Sequence, residues 1–131
     1  MRRHWQWLGL QRDIPTLLRG YHALVHPSLY EGTPNAICEA LAAGRPVLAS
    51  DVCDHPLLVA EGKRGFLFDP KAPESIVAAL ARLAGLGVEA WRALGRNARD
   101  YAEAELGIEL MVSRYEALFA SLGRSLGAQP S

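Results

Sequence analysis

Residues 23–50 read A-L-V-H-P-S-L-Y-E-G-T-P-N-A-I-C-E-A-L-A-A-G-R-P-V-L-A-S. Ala23-Leu24-Val25-His26 is an apolar run too short for a helix, ended by Pro27, and reads as a strand buried on both faces. Ser28 to Thr33 is a loop. Pro34 to Ala43 reads as a helix, with Thr33 before it, Pro34 in its first turn and Gly44 closing it. Arg45-Pro46 leads into a second apolar strand, Val47 to Ser50. Strand, loop, helix and strand in this order make a parallel α/β unit, and such sheets bind ligands outside the C-terminal ends of their strands.

The flanking sequence extends the pattern. Upstream, Trp5 to Leu8 reads as a further short strand closed by Gly9, and Asp13 as the N-cap of a helix running through Leu18 to Gly20. Downstream, Asp51 to Pro56 is a second strand-end loop, Leu57 to Ala60 a short helix, and Phe66-Leu67-Phe68 the last of about four short strands. A helix follows from Pro73 to Leu83. From Val88 onward the chain reads as helical. Trp91, Leu94, Ala98, Tyr101 and Ala102 form one apolar stripe; Ile108, Met111, Val112, Tyr115, Leu118, Phe119 and Leu122 form another beyond Gly107. Gly123 to Ser131 reads as a fraying polar tail.

The 131 residues suffice for one domain, and half of them are hydrophobic. The formal net charge is zero, and no basic, aromatic-interleaved stripe is present, so a nucleic-acid partner is not expected. Cys38 and Cys53 lack metal or redox spacing and read as buried or half-buried thiols in a reducing compartment. No apolar run is long enough to span a bilayer, and Met1 to Trp5 lacks the apolar region of a signal peptide. The expected location is the cytoplasm, with peripheral contact at the inner membrane face left open.

The chemistry concentrates at the start of the Pro34 helix. Free N–H groups are expected on Asn35, Ala36 and Ile37, and with the helix dipole they make a phosphate site. Gly32 lets a ligand approach the backbone. Two carboxylates flank the site: Glu31 before the helix and Glu39 on it, about 7–8 Å further along. A carboxylate repels phosphate but accepts hydrogen bonds from hydroxyls. A ligand with an anionic centre and hydroxylated rings at both ends is a nucleotide diphosphate sugar. The other reading of the same residues is a capped surface helix with both glutamates solvated.

Glu31 and Glu39 are separated by seven residues. Their setting, with P-S-x-x-E-G-x-P-N before and E-A-x-A-x-G-x-P after, closely resembles the E-x(7)-E region of the retaining GT-B glycosyltransferases of group 1, or family 4. The resemblance extends to W-L-G-L-Q-R-D-I-P-T-L-L upstream and to residues 65–83 and the Trp91-to-Leu122 helices downstream. It implies a partial Rossmann-like domain over residues 1–122, the C-terminal half of a GT-B enzyme. Glu31 is then the catalytic-site carboxylate that holds donor-sugar hydroxyls beside the anomeric carbon. Gly32, Thr33, Pro34, Asn35 and Ala36 meet the sugar and diphosphate, and Glu39 accepts from the ribose. The implied donor is a UDP- or GDP-sugar, with no metal and no further cofactor.

This sequence departs from the family in two ways. The second strand-end loop, where the family often has two glycines and a P-E pair, reads Cys53-Asp54-His55-Pro56-Leu57. The basic residues that clamp the diphosphate, and the acceptor domain, lie upstream of the matching region; Arg2, Arg3 and Arg12 do not match them. The chain alone is therefore expected to bind donor weakly and not to catalyse transfer. The alternative is an inactive fragment that binds a partner chain or itself, either the missing N-terminal domain or a second copy. A glycosidase acid–base pair fits badly, because Glu39 points past a phosphate site. His26, His55 and Asp51 read mainly as structural residues.

Overall fold

In the computed structural model, which describes residues 4–126, the elements are α1 (Ile14–Arg19), β1 (Leu24–His26), α2 (Asn35–Ala42), β2 (Val47–Ser50), α3 (His55–Val59), β3 (Gly65–Phe68), α4 (Pro73–Ala84), α5 (Val88–Glu105) and α6 (Ile108–Leu126). The strands form one parallel sheet in the order β1-β2-β3. β2 is central, and all four of its residues are buried. Alternation along β2 divides the core. Val47 and Ala49 pack with Leu18, Ile37, Leu41, Val59 and Ala98 on one face. Leu48 packs with Phe66, Phe68, Ala79 and Leu94 on the other. The result is a three-layer α/β/α arrangement.

Local sequence explains the helix boundaries. Asp13 caps α1, its Oδ1 accepting from the Thr16 amide at 3.1 Å. Pro15, Pro56 and Pro73 lie in the first turns of α1, α3 and α4, where a missing N–H costs nothing. Gly44 follows α2 at φ +66°. The stripe on α5 is buried through Leu94, Ala98 and Ala102.

Three expectations are corrected. Trp5 to Leu8 forms no strand; no ladder partner lies beside it, and Trp5 and Trp7 are 69% and 82% exposed. The sheet therefore has three strands, not four, among the described residues. β1 is not buried on both faces: it is an edge strand, and Val25 is exposed while Leu24 packs into the core. Cys53 is exposed, at φ +49° in the second strand-end loop. The α6 stripe is helical as read, and runs past Gly123 to Leu126, but Ile108, Met111, Tyr115, Leu118 and Phe119 are all exposed. Met1 to Arg3 and the last five residues of the tail lie outside the described residues.

Candidate functional site

The C-terminal ends of β1 and β2 carry the candidate site. His26 ends β1 and Ser50 ends β2. Ser50 is fully buried, and its hydroxyl donates to the Ser28 carbonyl at 2.5 Å. That bond fastens the Pro27–Ser28 corner to the centre of the sheet. His55, also fully buried, donates Nδ1–H to the Ser50 carbonyl at 2.8 Å. Its ring meets that of His26 edge-on, 5.4 Å between centroids, and its Nε2 has no hydrogen-bond partner among the described residues.

Glu31 is held at the end of this chain of contacts. The Ser28 hydroxyl donates to Glu31 Oε1 at 2.8 Å, and His26 Nε2 lies 3.2 Å from the same oxygen. The Ser28 hydrogen bond holds the Glu31 carboxyl below its ordinary pKa against the effect of desolvation, with His26 and His55 adding to the lowering. Glu31 is therefore a carboxylate at neutral pH. It is half-exposed, beside an exposed Gly32 that has open space where a side chain would stand.

The start of α2 differs from the expected one by a residue. Pro34 stands at the N-cap with extended ψ of 102°, and Thr33 makes no capping bond. The Pro34 carbonyl accepts from Ile37 at 3.0 Å and from Cys38 at 3.2 Å. Ile37 thus has no spare N–H, and the free donors are those of Asn35 and Ala36. Pro34 is buried while Thr33 and Asn35 are exposed.

Glu39 lies one turn past Asn35 on the exposed side of α2. It lines a groove of about 360 Å³ with Pro15, Arg19, Ala42, Gly44 and Arg99. Arg99 is tied there to the Ala42 carbonyl at 2.5 Å and to Glu103 at 2.6 Å. A wider groove at the ends of β2 and β3 is lined by Asp51, Glu61, Phe68, Asp69 and Ser75. Glu31 belongs to neither groove, so the two glutamates sit at separate places along one helix and its lead-in.

The sequence reads His26 and His55 mainly as structural; the structure sets His26 against Glu31, with the His55 ring packed on His26. The signal available was the spacing His26-x-Ser28-x-x-Glu31, which becomes a contact only once the loop folds back. No group of three or more His, Cys, Asp or Glu residues is gathered as a metal set among the described residues. No described helix is long and apolar enough to cross a membrane.

The family model "Glycosyl transferases group 1" matches residues 1–85. The chain belongs to the group 1 glycosyltransferases. Among curated members, it is 38% identical over 76 residues to the UDP-Gal:alpha-D-GlcNAc-diphosphoundecaprenol alpha-1,3-galactosyltransferase of Escherichia coli, covering 58% of this chain and 20% of that one. It is 36% identical over 93 residues to the O-antigen chain mannosyltransferase B of Escherichia coli, covering 71% and 23%. This group 1 chain thus spans about a fifth of the length of the curated relatives it matches. Among solved structures, sucrose-phosphate synthase from Thermosynechococcus elongatus matches with a TM-score of 0.74 at 28% identity, over 83% of this chain and 27% of that one. Anabaena HepE, solved in complex with UDP and glucose, matches with a TM-score of 0.83 at 22% identity, over 92% and 33%. The architecture is that of part of a GT-B glycosyltransferase.

Proposed function

We propose that this chain is the donor-binding part of a retaining glycosyltransferase that takes a nucleotide diphosphate sugar. The observation that carries the reading is one juxtaposition at the sheet's C-terminal edge. An ionised, doubly held carboxylate, Glu31, lies on the loop that leads directly into α2, whose first turn leaves the Asn35 and Ala36 N–H groups unpaired among the described residues. The amides and the helix dipole suit a phosphate; the carboxylate suits a sugar hydroxyl. Glu39, four residues along from Asn35, would accept from the ribose, with Arg19 and Arg99 in the same groove. In the whole enzyme the remaining donor-site cations and the acceptor domain would come from outside this chain, and preorganised charge at the leaving diphosphate is a large share of catalysis. The chain alone would bind donor weakly and leave it unreacted.

A ligand-observed NMR titration tests the reading. UDP, GDP and ADP, and the glucose and mannose conjugates of UDP and GDP, are each titrated against wild type and Glu39→Ala. Saturable binding that Glu39→Ala weakens supports a donor site and identifies the base. Absence of binding in a folded chain overturns it.

The uncovered stripe on α6 favours a second reading, in which the chain is an inactive module that docks on another chain or on itself through this face. Concentration-dependent mass in sedimentation, without nucleotide binding, would select it.

A further inference from the structure

The geometry points to His26 and Ser28 as positioning residues, which grip Glu31 by Oε1 alone and so present Oε2 as the acceptor for a hydroxyl of the donor sugar. This rests on the donor-site reading above and deepens it.

Three short contacts close a triangle: Ser28 Oγ to Glu31 Oε1 at 2.8 Å, His26 Nε2 to the same oxygen at 3.2 Å, and Ser28 Oγ to His26 Nε2 at 3.1 Å. The protons can be placed. A carboxylate only accepts, so the single Ser28 hydrogen goes to Glu31, the shortest of the three contacts. The proton between His26 and its two neighbours must then sit on Nε2, which donates to Glu31 and Ser28 together. His26 is a donor here, not a base. A nucleophile triad would place the acid on the other ring nitrogen; in this cluster acid and hydroxyl share one nitrogen, so a hydrolytic relay is ruled out by connectivity.

Among the described residues, both hydrogen bonds to the Glu31 carboxylate fall on Oε1 and none falls on Oε2. The grip is rigid because its anchors are. Ser50 and His55 are fully buried; Ser50 fixes the Ser28 carbonyl, and His55 fixes the Ser50 carbonyl while walling the back of His26. A carboxylate locked by one oxygen offers its free lone pairs in one direction, which a freely rotating surface glutamate does not.

The test separates sugar recognition from nucleotide binding. Affinities for UDP and UDP-glucose (or the GDP pair, if GDP binds better) are measured for wild type, Glu31→Gln, Ser28→Ala, Ser28→Thr, His26→Leu and His26→Gln. Thermal melts are recorded in parallel. The expected result is that wild type prefers the sugar nucleotide, and that Ser28→Ala and His26→Leu lose about ten-fold of that preference, as Glu31→Gln does, with UDP affinity little changed. Ser28→Thr and His26→Gln, which restore an O–H or N–H, should recover most of it. Equal loss of UDP and UDP-glucose would mean a structural role only and overturn the inference. So would an unchanged preference in both deletion variants. If the folded wild type binds no nucleotide at all, the donor-site reading fails first and takes this inference with it.

Discussion

Gly65 faces Val47 across the β2–β3 ladder so closely that a Cβ on Gly65 would stand 1.7 Å from the Val47 carbonyl oxygen. No side chain fits there, because the three nearest atoms are all Val47 backbone. Gly65→Ala should therefore separate the strands, at a cost on the order of 3 kcal/mol or more. Chemical denaturation measures it. Gly87→Ser is the matched comparison: nothing lies within 4 Å of its Cβ position, and α5 has no side-chain cap. A serine there should gain a few tenths of a kcal/mol.

Arg64 closes the end of α3. Its Nε donates to the Leu58 carbonyl and its Nη2 to the Leu57 carbonyl, each at 2.6 Å, with the guanidinium 3.9 Å from the Tyr101 ring centroid. Lysine cannot make the fork or the planar stack. Arg64→Lys should cost about 1–2 kcal/mol and lower Tm by roughly 3–8 °C. A Tm within a degree or two of wild type would show that the fork contributes nothing.

The Glu31 grip should appear in the acid limb of stability. Ser28 and His26 lower the folded-state pKa of Glu31 below its unfolded value. Its contribution is then full above the unfolded value and fades as pH falls through the folded one. Between about pH 6 and pH 3, wild type should lose more Tm than Glu31→Gln does. Asp13, lowered by its bonds to Thr16, leaves some acid dependence in both. Parallel curves for the two proteins would contradict the grip.

The two thiols should separate kinetically. Cys53 is exposed, whereas Cys38 is half-buried and burial pushes its thiol pKa up. An aromatic disulfide reagent should label Cys53 at once and Cys38 in a distinctly slower second phase. Cys53→Ser should abolish the fast phase.

Periodicity and punctuation made most of this fold legible. Asp13, Gly44, Pro73 and Gly107 mark real boundaries, and the alternation in Val47-Leu48-Ala49 assigns the two core faces. Trp5 to Leu8 misled because an apolar run becomes a strand only beside another strand. Pro34 misled by one position, because its extended ψ of 102° makes it the N-cap and not the first helical residue. At the site, local sequence singles out Glu31 as a candidate. The grip on it is not legible there, because His26 and Ser28 meet Glu31 only once the loop folds back, and the Ser50 anchor that holds the loop in place lies 22 residues from Ser28 in sequence.

The uncovered stripe on α6 divides the chain thermodynamically. A helix of 19 residues without tertiary burial of its apolar face is marginal in water. Its backbone amides should exchange with deuterium at rates near those of a helical peptide, orders of magnitude faster than the amides around Leu94 and Ala98 in α5. Unfolding is then not one all-or-none event: calorimetric enthalpy belongs to the sheet and the helices through α5, while α6 melts separately and earlier. Slowed exchange confined to α6 becomes the signature of any chain that seats on it.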